Sequence, residues 1–151
     1  MRALIQRVTS ASVTVNQSIT GAIGRGFLVL LGVEAGDDDT DCVWMVEKIT
    51  KLRVFDDPDG HMNLSLSEVG GDVLVVSQFT LFGTVRKGNR PSFNRAAPPA
   101  EAERLYLDFL AALSSTTGKP VPAGIFGAMM AVSLVNDGPV TLMLDSKRRD
   151  F

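Results

Sequence analysis

Three kinds of hydrophobic spacing follow one another along the 151 residues of the chain. Short β-prone runs come first, at 2–9, 12–16 and 19–23, separated by serine and by Asn16-Gln17-Ser18 turn chemistry. Val13 and Val15 flank Thr14, the period-two spacing of a half-buried strand. Phe27-Leu28-Val29-Leu30-Leu31-Gly32-Val33 is apolar without interruption, which predicts a strand covered on both faces. The spacing then becomes helical: Cys42, Met45, Val46, Ile49 and Leu52 share one face, and the acidic loop before them supplies an N-cap. Asp56-Asp57-Pro58-Asp59-Gly60 predicts a turn, and Val73-Leu74-Val75-Val76 a further strand that runs straight into Ser77.

A second helix opens at Pro98-Pro99 and carries Ala102, Leu105, Tyr106, Phe109, Leu110 and Leu113 as one apolar stripe. Gly118-Lys119-Pro120 stops it. The remainder predicts a hairpin, with Met130, Val132 and Leu134 on one arm, Val140, Leu142 and Leu144 on the other, and Asn136-Asp137-Gly138 between them. Many strands and two helices that do not alternate strand by strand predict an α+β fold with mostly antiparallel sheets. No repeat, linker or low-complexity segment divides the chain, so one domain spanning 1–151 is expected.

Composition narrows the class. With 45% hydrophobic and 21% charged residues the chain reads as a globular protein able to build one core. No run of about 18 apolar residues exists to cross a membrane, and the opening Met1–Arg7 is too polar for a signal peptide, so a cytoplasmic location is expected. A net charge of −2 argues against non-specific coating of nucleic acid and leaves room for a local basic face. Arg86, Lys87, Arg90 and Arg95 form such a cluster without an intervening acid, and Lys147, Arg148 and Arg149 form another in the tail. Either cluster also reads as a solvated loop.

The familiar catalytic sets are nearly absent. His61 is the only histidine and Cys42 the only cysteine, so no intramolecular disulfide is possible and a zinc site could form only with carboxylate ligands. His61 follows the Asp59-Gly60 turn, where an exposed side chain is expected rather than a triad member. No phosphate-cradling glycine loop is present, and no metal or other cofactor is expected. Ser77-Gln78-Phe79-Thr80 remains, three polar side chains at the end of a buried strand that can reach a cleft, although the pattern alone favours a solvated strand end over a site. Gly138-Pro139 reads as a turn on pattern alone.

Ser77-Gln78-Phe79-Thr80-Leu81 and Gly138-Pro139-Val140-Thr141 together resemble the D-aminoacyl-tRNA deacylases. Leu4–Val8, Met62-Asn63-Leu64, Arg90-Pro91-Ser92-Phe93 and Val132–Asn136 extend the resemblance over essentially 1–144. It implies a carboxylic ester hydrolase without cofactor, built on a barrel-like core of mostly antiparallel sheets. The ester cleaved would join a D-amino acid to the terminal adenosine of tRNA, releasing both, and achiral glycyl-tRNA mischarged on tRNA-Ala would be cleaved as well. It also implies a homodimer in which a Gly-cisPro motif, here Gly138-Pro139, enters the partner's site and rejects L-amino acids sterically.

The resemblance assigns Ser77, Gln78, Phe79 and Thr80 to the catalytic site, with two routes open. Thr80 stands at the position of a nucleophile, yet no base to activate its hydroxyl is evident. In the other route the substrate's own 2′-hydroxyl assists, and Phe79 and Thr80 offer backbone N–H groups to the developing oxyanion. Arg7 falls where the Gly-Pro loop is braced, and Met129 where the pocket is lined; a surface arginine and ordinary packing are the plain alternatives. Arg86, Lys87, Arg90 and Arg95 would contact the tRNA acceptor end, with neither membrane nor DNA as partner. The stretch Phe82–Arg86 departs from the family pattern, and the basic tail 145–151 runs past the last expected strand, either to touch RNA or to stay mobile.

Overall fold

Ser10 does not break the first strand. In the computed structural model, which describes residues 1–150, β1 runs unbroken over Arg2–Val15, where two runs were expected. Its first half buries Ala3 and Ile5 in one core cluster, and its second half buries Val8, Ala11 and Val13 in another. A strand that serves two cores gains more from continuing than from turning at one serine, and Ser10 simply sits exposed. Asn16 and Gln17, both at positive φ (47° and 65°), make the tight turn into β2, Ser18–Ile23.

β1 is the spine of a mixed, curled half-barrel. It pairs antiparallel with β3 (Gly26–Gly32) along Arg2–Val8 and with β2 along Ala11–Val15. On its other edge it pairs with β7 (Ala131–Asp145), from Arg2↔Asp145 to Thr14↔Ala131. β3 in turn pairs in parallel with β6 (Asp72–Ser77), in register from Gly26↔Asp72 to Leu31↔Ser77. That single parallel ladder is reached through α1 (Asp39–Lys51) and a small hairpin of β4 (Phe55–Asp56) and β5 (Met62–Leu64). Pro122–Gly124 extends the curl beyond β6, with Val75 N–H donating to Pro122 O at 3.1 Å and Gly124 N–H to Val75 O at 3.0 Å.

The uninterrupted apolar run of β3 is explained by its two faces. Phe27, Val29 and Leu31 point toward α1 and α2 (Pro99–Thr117), where they meet Met45, Ile49, Leu105, Phe109 and Leu113. Leu28 points the other way, with Leu74, Val76 and Ile23, into the hollow of the curl. Both helices carry the expected ends. Asp38 caps α1 through the N–H groups of Thr40 and Asp41, and the Asp41 carboxylate returns to the Asp38 N–H. Gly118, at φ 67°, closes α2 with its N–H on Ser114 O.

The expected C-terminal hairpin is not formed. Both of its arms lie in one strand, β7, and both pair with β1 rather than with each other. Between them the register jumps: Gln6 faces Thr141 while Val8 faces Asn136, so Asp137–Val140 loop out opposite Arg7. A long neighbouring strand offers each arm more ladder than the two arms could offer one another. The turn signature Asn-Asp-Gly-Pro therefore makes a bulge, not a reversal.

The basic tail folds back on the body. Asp145 accepts the Lys147 and Arg148 N–H groups at 3.0 and 3.1 Å, and Lys147 Nζ reaches Asp37 at 2.9 Å. Arg149 lies over the Trp44 ring at 4.9 Å. Phe151, the last residue of that tail, lies outside the described residues. No helix among the described residues is long and apolar enough to cross a membrane.

Candidate active site

β6 delivers Ser77 beside Leu31, and the ladder ends one residue later where Gln78 N–H donates to Leu31 O at 2.7 Å. The chain then tightens into a single 3-10 turn, Phe79–Phe82. Phe82 is the apolar anchor, 1% exposed, whereas Phe79 is 56% exposed and Thr80 is exposed. The turn sits close against β3: a Cβ on Gly32 would come within 3.0 Å of Gln78 O and 3.2 Å of Leu81 Cβ. Only glycine at position 32 lets the two segments approach this far.

Phe79 and Thr80 open the turn, where N–H groups have no partner within the helix. Neither N–H donates to a backbone carbonyl elsewhere among the described residues. Phe79 is held edge-on by Phe93, ring centroids 5.0 Å apart. The Thr80 hydroxyl takes a hydrogen bond from the Gln78 side-chain amide, a group that cannot accept a proton in return. His61 pairs instead with Asp57, across the β4–β5 turn at 3.9 Å, and is 80% exposed. Cys42 is buried in the helix interface, and burial pushes its thiol up to about 11, far from nucleophilic. Among the described residues no cluster of His, Cys, Asp or Glu is placed to hold a metal ion.

Gly138 and Pro139 form the exposed tip of the β7 bulge, joined by a cis peptide bond. Arg7, 4% exposed, holds the bulge from beneath: its Nε donates to Asp137 O at 3.1 Å and pairs with the Asp137 carboxylate at 3.2 Å. The same guanidinium reaches Val54 O and the Asp56 carboxylate. Asn136 completes the brace, its amide donating to Arg7 O at 3.2 Å and Val140 O at 3.0 Å. Gly138 has φ 119°, and a Cβ there would fall 2.6 Å from an Arg7 terminal nitrogen.

The two segments are not brought together within one chain. Among the described residues no hydrogen bond or ion pair joins them: Leu81 is tied to Arg2 and Asp137 to Arg7, whose Cα atoms, five positions apart on the same strand, are roughly 17 Å apart at strand rise. Met129, expected to line the pocket, is 92% exposed in the single chain.

The basic cluster divides. Thr84 and Ser92 bridge with reciprocal 2.9 Å hydrogen bonds, and the loop between them presents Arg86, Lys87 and Arg90 around an open cavity of about 460 Å³. Arg95 is engaged differently, paired with Glu34 at 2.6 Å and lying over the Phe82 ring at 5.7 Å. Three residues that the sequence did not single out now belong to the site's surroundings: Arg2, Asn136 and Asp145. Their role depends on partners more than 100 positions away, or 79 for Arg2 and Leu81, which no local pattern encodes.

Comparison with known proteins gives the chain its family. Residues 4–145 match the family described as D-Tyr-tRNA(Tyr) deacylase. The D-aminoacyl-tRNA deacylase of Opitutus terrae is 59% identical over 99% of this chain and 100% of its own length. That of Geobacter sulfurreducens is 58% identical over 99% and 97%. A solved structure described as c-Myc DNA unwinding element binding protein superposes with a TM-score of 0.90 at 46% identity, covering 96% of this chain and 98% of the other. Another, described as a probable eukaryotic D-amino acid tRNA deacylase, is 22% identical with a TM-score of 0.81 over 95% and 97%, and shares the fold. The chain belongs to the D-Tyr-tRNA(Tyr) deacylase family and is a hydrolase of D-aminoacyl-tRNA.

Proposed function

We propose that the chain, working as one domain in the cytoplasm, forms a homodimer whose active sites are shared. Phe79 and Thr80 of one copy hold the ester carbonyl through their N–H groups, with Ser77 and Gln78 shaping the site around them. Gly138-Pro139 of the other copy walls off the space an L side chain would need. The observation that carries this reading is that the two segments are anchored at different points of β1, Leu81 on Arg2 and Asp137 on Arg7, with no hydrogen bond or ion pair between them among the described residues; a second copy would supply the wall that one chain's own site lacks.

The attacking water is then assisted by the substrate's terminal 2′-hydroxyl, since the Thr80 hydroxyl has an amide rather than a base beside it. Negative charge developing on the ester oxygen meets the N–H groups that open the 3-10 turn. Exclusion of L-substrates is steric, so glycyl-tRNA mischarged on tRNA-Ala is cleaved too. Arg86, Lys87 and Arg90 receive phosphates of the acceptor end, and Arg95 supports that loop from its base. DNA binding, named for one structural relative, forms no part of this reading, because a net charge of −2 offers little to duplex phosphates.

Two measurements test it. D-tyrosyl-, L-tyrosyl-, glycyl- and L-alanyl-tRNA are presented separately; cleavage of the D-tyrosyl and glycyl esters alone is expected. Release of L-alanine would instead place the chain with a looser relative of the same fold. Next, a variant altered at Phe79 is mixed with one altered at Gly138, each impaired alone. Recovery of activity on mixing supports sites shared between copies, and no recovery despite mixed dimers would sink that arrangement.

A further inference from the structure

Arg2 occupies an unusual place for a strand-end arginine. Its side chain is only 14% exposed, and its guanidinium is shared between two elements far apart in sequence. Nε pairs with the Asp145 carboxylate at 2.8 Å, and one terminal nitrogen donates to Leu81 O at 2.9 Å. The plane of the group also lies over the Phe82 ring, 4.8 Å from its centroid. Leu81 and Phe82 are the last two residues of the 3-10 turn that opens with Phe79 and Thr80.

A four-residue 3-10 turn has poor internal hydrogen bonding and little to hold it alone. Its final carbonyls lack partners within the turn and carry the negative end of its small dipole, which a cation satisfies. At its start the turn is tied down by Gln78 N–H on Leu31 O. At its end Arg2 supplies the tie. Asp145 sets Arg2 in place, being 3% exposed and the terminal residue of β7, with its other oxygen fixed by the tail N–H groups of Lys147 and Arg148. The chain of contacts runs from tail to Asp145, to Arg2, to the far end of the catalytic turn.

We infer that Arg2 and Asp145 are positioning residues for deacylation, clamping the end of the Phe79–Phe82 turn so that the N–H groups at its start hold the reacting ester in line. This rests on the assignment of Ser77–Thr80 to the active site. Neither side chain reaches substrate; both act through the backbone of the turn. A loosened turn still binds tRNA through the basic loop, so the loss falls on the chemical step.

The test uses the full-length protein and single-turnover deacylation of D-tyrosyl-tRNA at several concentrations, with thermal melting of each variant. Arg2→Leu is expected to lower kcat on the order of 10- to 100-fold while KM stays at the wild-type value, because small misplacements cost about that much. Arg2→Lys recovers part of the loss. Asp145→Asn lowers kcat in the same sense, and the Arg2→Leu/Asp145→Asn pair is no worse than the worse single change, as for two members of one clamp. If Arg2→Leu fails to fold, Arg2→Lys and Asp145→Asn carry the same comparison. A folded variant with wild-type kcat and a lower melting temperature overturns the positioning role, and so does a loss confined to KM. Phe79→Pro, which deletes one of the N–H groups, separates the two ideas. If it leaves kcat unchanged, the site assignment itself is wrong and the clamp falls with it. If it abolishes turnover while Arg2→Leu does not, the site stands and the clamp alone is refuted.

Discussion

Arg7 holds Asp137 across 130 positions of chain, donating to its carbonyl oxygen at 3.1 Å while pairing with its carboxylate at 3.2 Å. The guanidinium is almost wholly buried beneath the bulge that lifts Gly138 and Pro139 into solvent. Removing it leaves the Val54 and Asp137 carbonyls without a donor in a part-buried space. Arg7→Leu is therefore expected to cost about 1–3 kcal/mol of stability in denaturant unfolding, the usual penalty for orphaned buried polar groups. In folded protein the ratio of D- to L-tyrosyl-tRNA cleavage should also fall. A variant that keeps the wild-type ratio would show that the brace does not govern chirality.

Gly138→Ala attacks the same bulge from above. The residue sits at φ 119°, and an added methyl would lie 2.6 Å from an Arg7 nitrogen and 3.0 Å from Val140 Cγ2. Backbone strain of this kind costs about 1–3 kcal/mol. The expected result is a lower melting temperature together with weaker D-aminoacyl-tRNA cleavage. Wild-type values of both would mean the bulge can shift without consequence.

Thr80→Ala should keep substantial single-turnover activity on D-tyrosyl-tRNA, since the hydroxyl is bonded to an amide and no general base adjoins it. A loss of several orders of magnitude would restore Thr80 as the nucleophile.

Asp145 gives a pH dependence with a definite sign. Burial alone would raise its carboxyl, but the Arg2 hydrogen bond, the Lys147 and Arg148 N–H groups and the Arg2 charge together hold it below the ordinary aspartate range. A carboxyl lowered in the folded state adds stability that is complete above its unfolded value, about 4, and is lost as pH falls through the lower folded value. Wild type should accordingly exceed Asp145→Asn in stability at pH 7, with the gap closing below about pH 4. Urea unfolding at both ends of that range measures it, and a gap that stays constant would rule out the ionised clamp.

Arg86, Lys87 and Arg90 surround one open cavity and have no acidic partner within ion-pair distance among the described residues. Neutralising any one of them should weaken tRNA binding, leave kcat alone and reduce the slope of log affinity against log salt by about 0.7–0.9. Arg95→Ala behaves otherwise, because it also breaks the Glu34 pair and uncovers Phe82, so melting temperature falls with affinity. Equal effects on the salt slope and no change in melting for all four would erase that division.

Much of the secondary structure was legible before any tertiary contact was known. The spacing of Cys42, Met45, Val46 and Ile49 reports α1, and Leu105, Phe109 and Leu113 report α2, because a helix must turn one apolar face to the core. The unbroken run Phe27–Leu31 reports a strand covered twice, and so it is. The motif Ser77–Thr80 was visible as a motif; its continuation into a tight 3-10 turn was not. The two misread places were Ser10 and Asn136–Pro139, both locally strong turn signals that became parts of long strands.

The sequence by itself determined most of the elements, the family and the identity of the residues offered to chemistry, since these follow from periodicity, capping and motif, all properties of neighbours. Only the tertiary structure decided which strand Asp137–Val140 bulges from, which groups Arg7 holds beneath it, and that Arg2 closes the turn bearing Thr80. Each of those outcomes depends on β7 pairing with β1 across the length of the chain. Ladder hydrogen bonds can be satisfied by any extended neighbour, so the choice among neighbours rests on total burial and not on local pattern.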